Sequence, residues 1–274
     1  MSSEWIPVGA LGAAFAPDSN ALPESAELVG QRFALHLETG AVIEYAFTSV
    51  SRLARTVVGR IDGSMLEDGE ADYVATTLRP GFYMISIVEP RRSAAATTLL
   101  LDLPAGICTL IPARLPTREE ASKPFFERIL AGEELTAVQA QFIAGSVNAP
   151  FAATTPRHPA TSDLVGRRVE YTYSSTEKYE HIYLNDRFYT WQCLAGSEKG
   201  LADTDRCHYL KLGEELYLFL WREKIVPTLG IVVVDFRQKR TMGRIIGYTG
   251  FDFSAVTSFP VGAHLQPVSP ARAG

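Results

Sequence analysis

The sequence predicts a mainly β protein made of two duplicated antiparallel β-barrels that are joined by a helical linker. Three observations lead to this prediction. Similar stretches recur about 134 positions apart. Each copy consists of short strand-like runs separated by turn residues. The chain between the copies changes to a helical pattern.

Composition limits the classes of function. The chain has 274 residues, 46% of them hydrophobic, which suits two domains with cores of their own. A formal net charge of −5 argues against nucleic acid as a partner. The three cysteines are widely spaced and predict no disulfide framework. With no basic stretch before the mildly apolar N-terminus and no long apolar run, we expect a soluble, cytoplasmic protein without a signal peptide or membrane contact.

The internal repeat sets the domain boundaries. Its matched stretches are VGQR and VGRR at 29–32 and 165–168, GFYMISIVE and ELYLFLWRE at 81–89 and 215–223, and LLDL and VVDF at 100–103 and 233–236. Asp102 and Asp235 match in the repeat, which favours a structural role for both. The resulting domain prediction is an N-terminal extension at 1–28, a first barrel at 29–115, a helical and Pro/Thr/Ala-rich linker at 116–163, a second barrel at 164–255, and a tail at 256–274. The last part of the tail, HLQPVSPARAG at 264–274, is expected to be loosely ordered.

The second copy gives the clearer strand pattern. Its predicted strands are 167–173, 179–184, 187–193, 206–212, 215–222, 229–236 and 242–248. Both faces of the run from Leu216 to Glu223 are bulky and mostly apolar, so one face can fill a barrel interior while the other packs on a neighbouring domain or subunit. A homodimer that packs through this second face is therefore one interpretation of the pattern.

The linker begins with a helix-start signature, PTREE, at 116–120. The apolar spacing that follows, as far as about Gly145, predicts one or two helices. A Pro/Thr/Ala-rich stretch then leads to the second copy.

Polar aromatic side chains distinguish the second copy from the first. The run YTYSSTEKYEHIY places Tyr171 and Tyr173 on one strand face, where the first copy has Leu35 and Leu37. The barrel therefore does not need those hydroxyls in order to fold. The polar-headed residues of the second copy are Tyr171, Tyr173, Tyr179, His181, Tyr183, Trp191, Arg206, His208, Trp221, Glu223 and Tyr248.

At these residues the chain resembles two known families. The stretches VGRRVEYTYSS, ELYLFLWREK and QKRTMGRIIGY are similar to the C-terminal domain of the molybdenum cofactor biosynthesis protein F (MoaF) family, and the two-copy layout matches that family over nearly the whole chain. The same stretches resemble, more distantly, the phenolic acid decarboxylases. This second resemblance implies a calycin-like (lipocalin-like) barrel.

The decarboxylase resemblance also implies roles for three residues. Tyr171 and Tyr173 would hold a substrate carboxylate, and Glu223 would exchange a proton with the substrate. The arginine of that family has no counterpart, since the matching position falls near Lys199 or Gly200.

The same chemistry is consistent with the residues themselves. A carboxyl group in an apolar interior has a raised pKa and can act as a general acid or base near neutral pH. We therefore predict Tyr171, Tyr173 and Glu223 as catalytic residues, with no cofactor and no metal. The residues predicted to contact a small-molecule ligand are His181, Trp191, Arg206, His208, Trp221 and Tyr248.

Three functions remain open. The second barrel could be a cofactor-independent lyase, hydratase or isomerase acting on a small, aromatic, carboxylate-bearing molecule. Alternatively, it is a binding module that carries a hydrophobic small molecule without changing it, which predicts an apolar cavity where no titratable residue has a perturbed environment. In a separate interpretation, Tyr171 and Tyr173 are core tyrosines and Glu223 is the solvated end of its strand. The MoaF resemblance implies an accessory role in molybdenum cofactor metabolism.

Overall fold

The computed structural model describes residues 5–59, 61, 66–88 and 94–268. It divides the chain into two compact units, each with its own barrel. The first unit contains Pro23–Arg114 and Gln139–His158. The second unit contains Met1–Leu22, Leu115–Val138 and Pro159–Gly274. The prediction of a mainly β fold with two antiparallel barrels is confirmed.

The first unit is an eight-stranded antiparallel barrel with one short extra strand. The barrel order is β6-β5-β4-β3-β2-β1-β9-β7, with β7 closing onto β6 and β8 pairing at the outer end of β7. The strands are β1 Arg32–Leu37, β2 Val42–Phe47, β3 Arg52–Val58, β4 Gly69–Arg79, β5 Phe82–Val88, β6 Ala95–Asp102, β7 Ile107–Arg114, β8 Gln139–Ala140 and β9 Ile143–Val147.

The second unit is an eight-stranded barrel in which each strand pairs with its neighbour in sequence, and the last strand pairs with the first. Its strands are β10 Arg168–Thr172, β11 Lys178–Tyr183, β12 Phe188–Ala195, β13 Ala202–Gly213, β14 Leu216–Arg222, β15 Thr228–Asp235, β16 Arg240–Tyr248 and β17 Val256–Pro267. The helices α1 Val8–Phe15, α2 Arg118–Ser122 and α3 Phe125–Leu130 belong to this unit. No helix in the described part of the chain is long and apolar enough to cross a membrane.

The repeat is visible in the backbone at the start of both barrels. Gly30 and Gly166 have φ angles of 81° and 83°, a left-handed conformation that glycine adopts without steric cost. Their amides donate to the carbonyls of Phe47 and Tyr183, in each case at 2.8 Å. The shared VG dipeptide thus makes the same turn into β1 and β10.

The matched aspartates have the structural role that the repeat predicts. The carboxylate of Asp102 accepts the Ala105 amide, and that of Asp235 accepts the Gln238 amide, both at 3.0 Å. Each aspartate therefore fastens the turn three residues ahead of it. Glu89, which the repeat aligns with Glu223, lies outside the described residues.

The linker prediction is partly right. The helix-start signature is confirmed, because Thr117 and Glu120 form a reciprocal capping box at the start of α2. The prediction of helix as far as Gly145 is wrong, since β9 pairs with β1 and β7 and completes the first barrel. Gly145 is packed so closely that a Cβ would lie 2.8 Å from the Cys108 sulfur, so the strand inserts where only glycine fits.

The prediction of loose order from residue 264 is wrong at 264–267, because the first twelve residues of the tail are ordered. They form β17, whose backbone pairs with both β16 and β10. Without β17 the barrel would keep two open edges. The alternation of buried residues in β17 is incomplete, which explains why the period-2 pattern is weak there.

Helix α1 packs over one end of the second barrel. The side chain of Val8 lies against Gly247, where a Cβ would come within 2.3 Å of it, and Gly12 lies against the ring of Phe259. These glycines allow the helix to approach β16 and β17 closely. Phe15 of α1 is buried in the barrel core.

Candidate ligand site in the second barrel

Aromatic side chains fill the interior of the second barrel. Successive side chains of a strand alternate between its faces, and the inward positions of β10 to β14 are rich in tyrosine and tryptophan. The aromatic residues of this core are Phe15, Tyr171, Tyr173, Tyr179, Tyr183, Tyr189, Trp191, Tyr209, Tyr217, Phe219, Trp221 and Phe236. Several of these rings pack edge to face, such as Tyr189 on Phe219, whose ring centroids lie 4.8 Å apart.

One end of this interior contains a small cavity. Its volume is about 30 Å³, enough for roughly two water molecules. It lies where β10, β12 and β14 end and β11 begins, which is also the end that α1 covers. The lining residues are Leu11, Phe15, Tyr173, Tyr179, His181, Tyr189, Trp191, Glu198, Trp221, Glu223 and Ile245.

Glu223 follows β14 and lies half-buried on the wall of this cavity. The indole Nε1 of Trp221 donates to its Oε1 at 2.9 Å. Burial raises the pKa of this carboxyl well above its ordinary value, and the nearby carboxylates of Asp205 and Glu198 raise it further. Glu223 can therefore hold a proton at a pH where an exposed glutamate has lost it.

Two further carboxyl groups surround Glu223. Glu198 lies in the turn after β12 and accepts the hydroxyl of Tyr179 at 2.9 Å, and burial raises its pKa. Asp205 accepts Nε1 of Trp191 at 3.1 Å, and burial raises its pKa against the opposing effect of Lys224. Lys224 donates to Asp203 at 2.5 Å and is not among the cavity residues.

His181 lies on the same wall, in the middle of β11. Its side chain is 4% exposed and its Nδ1 has no hydrogen-bond partner in the structure. Burial lowers the pKa of His181 to about 3, so the ring is neutral at ordinary pH. A neutral imidazole can offer one nitrogen as an acceptor and the other as a donor.

The two tyrosines of the YTY run have separate places. Tyr173 lines the cavity, and its hydroxyl has no hydrogen bond to any residue that the structure describes. Tyr171 points deeper, where its hydroxyl lies 2.5 Å from that of Tyr183 and does not reach the cavity wall. The structure therefore brings Tyr173 and Glu223 to one cavity and leaves Tyr171 out.

Three predicted ligand contacts lie elsewhere. Arg206 binds Glu134 at 2.7 Å on the outer face of β13, and His208, on the same face, accepts from Arg222 at 3.2 Å. The hydroxyl of Tyr248 donates to the Pro116 carbonyl at 2.7 Å. The structure does not bring these three residues to the cavity. Arg206 and His208 lie on the strand face opposite to that of the inward Asp205 and Cys207.

Six cavity residues are not among the site residues that the sequence predicts: Leu11, Phe15, Tyr179, Tyr189, Glu198 and Ile245. Tyr179 shares the strand face of His181, so alternation alone could have identified it. Tyr189 likewise shares a strand face with Trp191, two residues further along β12. Glu198 lies in a turn, and Leu11 and Phe15 come from a helix far away in sequence, so no local pattern indicates them. Among the described residues, no group of three or more His, Cys, Asp or Glu side chains is placed to hold a metal ion.

Comparison with known proteins identifies the family. A solved structure described as a "putative beta-lactamase" from Burkholderia vietnamiensis matches 41% of this chain and all of its own length, at 16% identity and a TM-score of 0.34, which supports no inference. "Protein MoaF" of Klebsiella aerogenes is 41% identical over 99% of both chains. The models of the MoaF N-terminal and C-terminal domains match residues 3–117 and 158–271. The chain therefore belongs to the MoaF family.

Proposed function

We propose that the second barrel binds a small organic molecule at its aromatic cavity and that Glu223 acts on this molecule as a general acid or base, without a cofactor. The observation that carries the proposal is the position of Glu223. Its carboxyl lies on the cavity wall with a raised pKa, which is the property that a proton-transfer group needs near neutral pH. Lyase, hydratase and isomerase reactions all use such a group.

The neighbours of Glu223 support this chemistry. The Trp221 indole holds one carboxyl oxygen through a hydrogen bond, so the carboxyl keeps a fixed direction while its second oxygen remains available. The Tyr173 hydroxyl and the neutral His181 ring line the same space and can bind a polar group of the ligand. Buried donors placed in advance stabilise developing charge more effectively than water does.

The carboxylate-bearing substrate implied by the decarboxylase resemblance has less support. Only one of the two tyrosines reaches the cavity, because the Tyr171 hydroxyl pairs with Tyr183. The eleven lining residues, all within the described part of the chain, include two glutamates and neither arginine nor lysine. A carboxylate ligand would meet two carboxyl groups and no cationic side chain on the wall.

Non-catalytic binding is the second candidate, and the small cavity favours it. Leu11 and Phe15 of α1 reach into the space that a ligand would need. Movement of α1 would enlarge this space for a ligand, a step that a carrier can use for uptake and release.

Tryptophan fluorescence can test the binding step. The chain has three tryptophans, and all of them report on this cavity: Trp191 and Trp221 line it, and Trp5 packs edge-on against Trp191 at 5.9 Å. Native mass spectrometry of the full chain should first identify a co-purified molecule. Adding this molecule to ligand-free protein should then change the fluorescence.

The Glu223→Gln variant tests the catalytic step. It keeps the shape and the Trp221 hydrogen bond, so binding should persist while conversion of the ligand, followed by chromatography, falls by about 10²-fold or more. Glu214→Gln is the matched control, because this exposed glutamate pairs with Arg237 at a turn of the same barrel. Undiminished conversion by Glu223→Gln would refute the catalytic role, and binding without any conversion would leave the carrier function.

A further inference from the structure

The described residues of the cavity wall include carboxyl groups and no cationic side chain among them. Glu198 and Glu223 lie on the wall, and Asp205 stands behind the ring of Trp191. His181 is neutral, and Lys224, which is not a lining residue, is held by Asp203 and Asp205. The site therefore presents carboxyl groups to a ligand without a cationic side chain among them.

The rest of the wall is aromatic. Trp191 and Trp221 both belong to it. The ring centroid of Tyr179 lies 6.1 Å from that of Trp191 and 5.9 Å from that of Tyr173. The face of an aromatic ring carries partial negative charge and attracts a cation placed over it, most strongly when the site is desolvated. Rings and carboxyl groups thus favour the same kind of ligand.

Polar atoms without partners add a third, independent observation, and one of them, the Nδ1 of His181, is buried. The hydroxyls of Tyr173 and Tyr189 line the cavity, and no described residue hydrogen-bonds to either. The Nδ1 of His181, on the same wall, also has no hydrogen-bond partner in the part of the chain that the structure describes. Buried polar groups without partners are uncommon in folded proteins and indicate that something else binds them.

We propose that this cavity binds the ammonium group of a small organic cation, either a protonated amine or an alkylated one. The inference rests on the proposed function, since it names the class of ligand for the same site. A bare metal ion fits the site less well, because most of the wall is carbon and the described residues contain no metal-binding group.

The size of the cavity decides which part of the ligand it holds. About 30 Å³ suits a small charged head rather than a whole drug-sized molecule. The apolar remainder of the cation would take the space that Phe15 occupies, next to Tyr173 at 5.0 Å and Tyr179 at 5.8 Å. Removing the Phe15 ring should therefore favour binding of cations with a bulky apolar part.

Probes that match in shape and differ in charge test the proposal. Choline and 3,3-dimethyl-1-butanol have nearly the same shape, but only choline is charged, and 3,3-dimethylbutanoate reverses the charge. n-Butylammonium tests a cation that can also donate hydrogen bonds. Each probe is titrated into the full chain at constant ionic strength while tryptophan fluorescence is recorded.

We expect at least one of the two cations to bind about tenfold or more tightly than the neutral alcohol, and the anion to bind most weakly. Glu223→Gln and Glu198→Gln should each reduce this preference about threefold or more, and the Glu214→Gln control should leave it unchanged. If Glu223→Gln fails to fold, Glu198→Gln and the Phe15→Ala variant, which should tighten cation binding, carry the test.

The results separate the two proposals. Equal or tighter binding of the neutral or anionic probe would overturn the cation proposal and leave a ligand site for another class of molecule. No fluorescence response to any probe, together with no co-purified ligand, would overturn the binding site and the cation proposal together.

Discussion

Tyr171 and Tyr183 share one hydrogen bond deep in the second barrel, with 2.5 Å between their hydroxyl oxygens. Both side chains are almost completely buried, and the structure gives neither hydroxyl another partner within the described residues. In the first barrel Leu35 takes the place of Tyr171 and is buried without any polar group. The tyrosine pair therefore acts as polar packing, which separates Tyr171 from the role that resemblance implies for it.

The hydroxyl pair gives a double-mutant test of this assignment. Tyr171→Phe leaves the Tyr183 hydroxyl buried without a partner, which should lower the free energy of unfolding by about 1–3 kcal/mol. Tyr171→Phe with Tyr183→Phe removes both hydroxyls and should cost less than the sum of the single changes. Urea unfolding followed by tryptophan fluorescence measures all three variants. Loss of ligand binding in Tyr171→Phe, with unchanged stability, would restore Tyr171 to the site.

Glu223 predicts a pH dependence of stability with a definite sign. Its pKa is raised in the folded state, mainly by burial. The stabilisation from keeping it protonated is therefore present below the unfolded pKa, which is near 4.5, and is lost as the pH rises through the folded value. Glu223→Gln should match the wild type in melting temperature at pH 4 and exceed it increasingly toward pH 9. A constant difference in melting temperature across this range would show that burial does not raise the pKa of Glu223.

Alternation along strands accounts for the site residues that the sequence predicts well. Trp191, Trp221 and His181 lie on inward strand positions, with Tyr173 and Glu223 continuing that alternation just beyond the strand ends, and all five reach the cavity. Arg206 and His208 resemble these residues in type, but they do not share their inward strand positions. Glu198 could not be predicted, because a turn has no period and only the folded barrel brings its carboxyl to Tyr179.

At the scale of elements, α1 and β9 show where local patterns fail. α1 has no side-chain hydrogen bond at its N-cap, no acidic residue in its first turn and no basic residue in its last, so the usual start and stop signals are absent. It is stabilised by packing on β16 and β17 instead. The spacing of Val138, Phe142 and Ile143 imitates a helix, but β9 is buried between two strands of the first barrel.

The buried ring of Phe15 should therefore contribute more to the stability of the second barrel than the local helix signals of α1 do. Phe15→Ala removes a buried ring and should lower the free energy of unfolding by about 3–5 kcal/mol. Phe126→Ala on α3 is the matched control, because its ring is 69% exposed and its loss should change stability by less than about 0.5 kcal/mol. Urea unfolding compares the two variants. Equal stability would mean that α1 adds nothing to the barrel.

At the scale of the whole molecule, the repeat predicted the number of barrels correctly but placed the end of the second one too early. Closure of that barrel depends on β17, which pairs along its length with β16 and also with β10. The repeat could not reveal this strand, because its clearest matches end near Asp102 and Asp235. Sequence similarity marks the turns and core strands, whereas closure is a property of the complete barrel.

Truncation tests the closing strand. A chain ending at residue 255 lacks β17 and should lose the cooperative unfolding transition of the tryptophans, all three of which belong to this unit. A chain ending at residue 268 retains all eight strands and should unfold as the full protein does. A cooperative transition in the shorter chain would show that seven strands suffice.

The packing of α1 has a consequence for the order in which the protein is completed during synthesis. Val8 lies against Gly247 and Gly9 against Thr249, so the partners of the helix are made about 240 residues after it. At ordinary translation rates this delay is on the order of 10–50 s. The first barrel can form within that time, whereas the second still lacks its last strands. During this interval α1 cannot yet settle over the end of the second barrel that it covers in the complete protein.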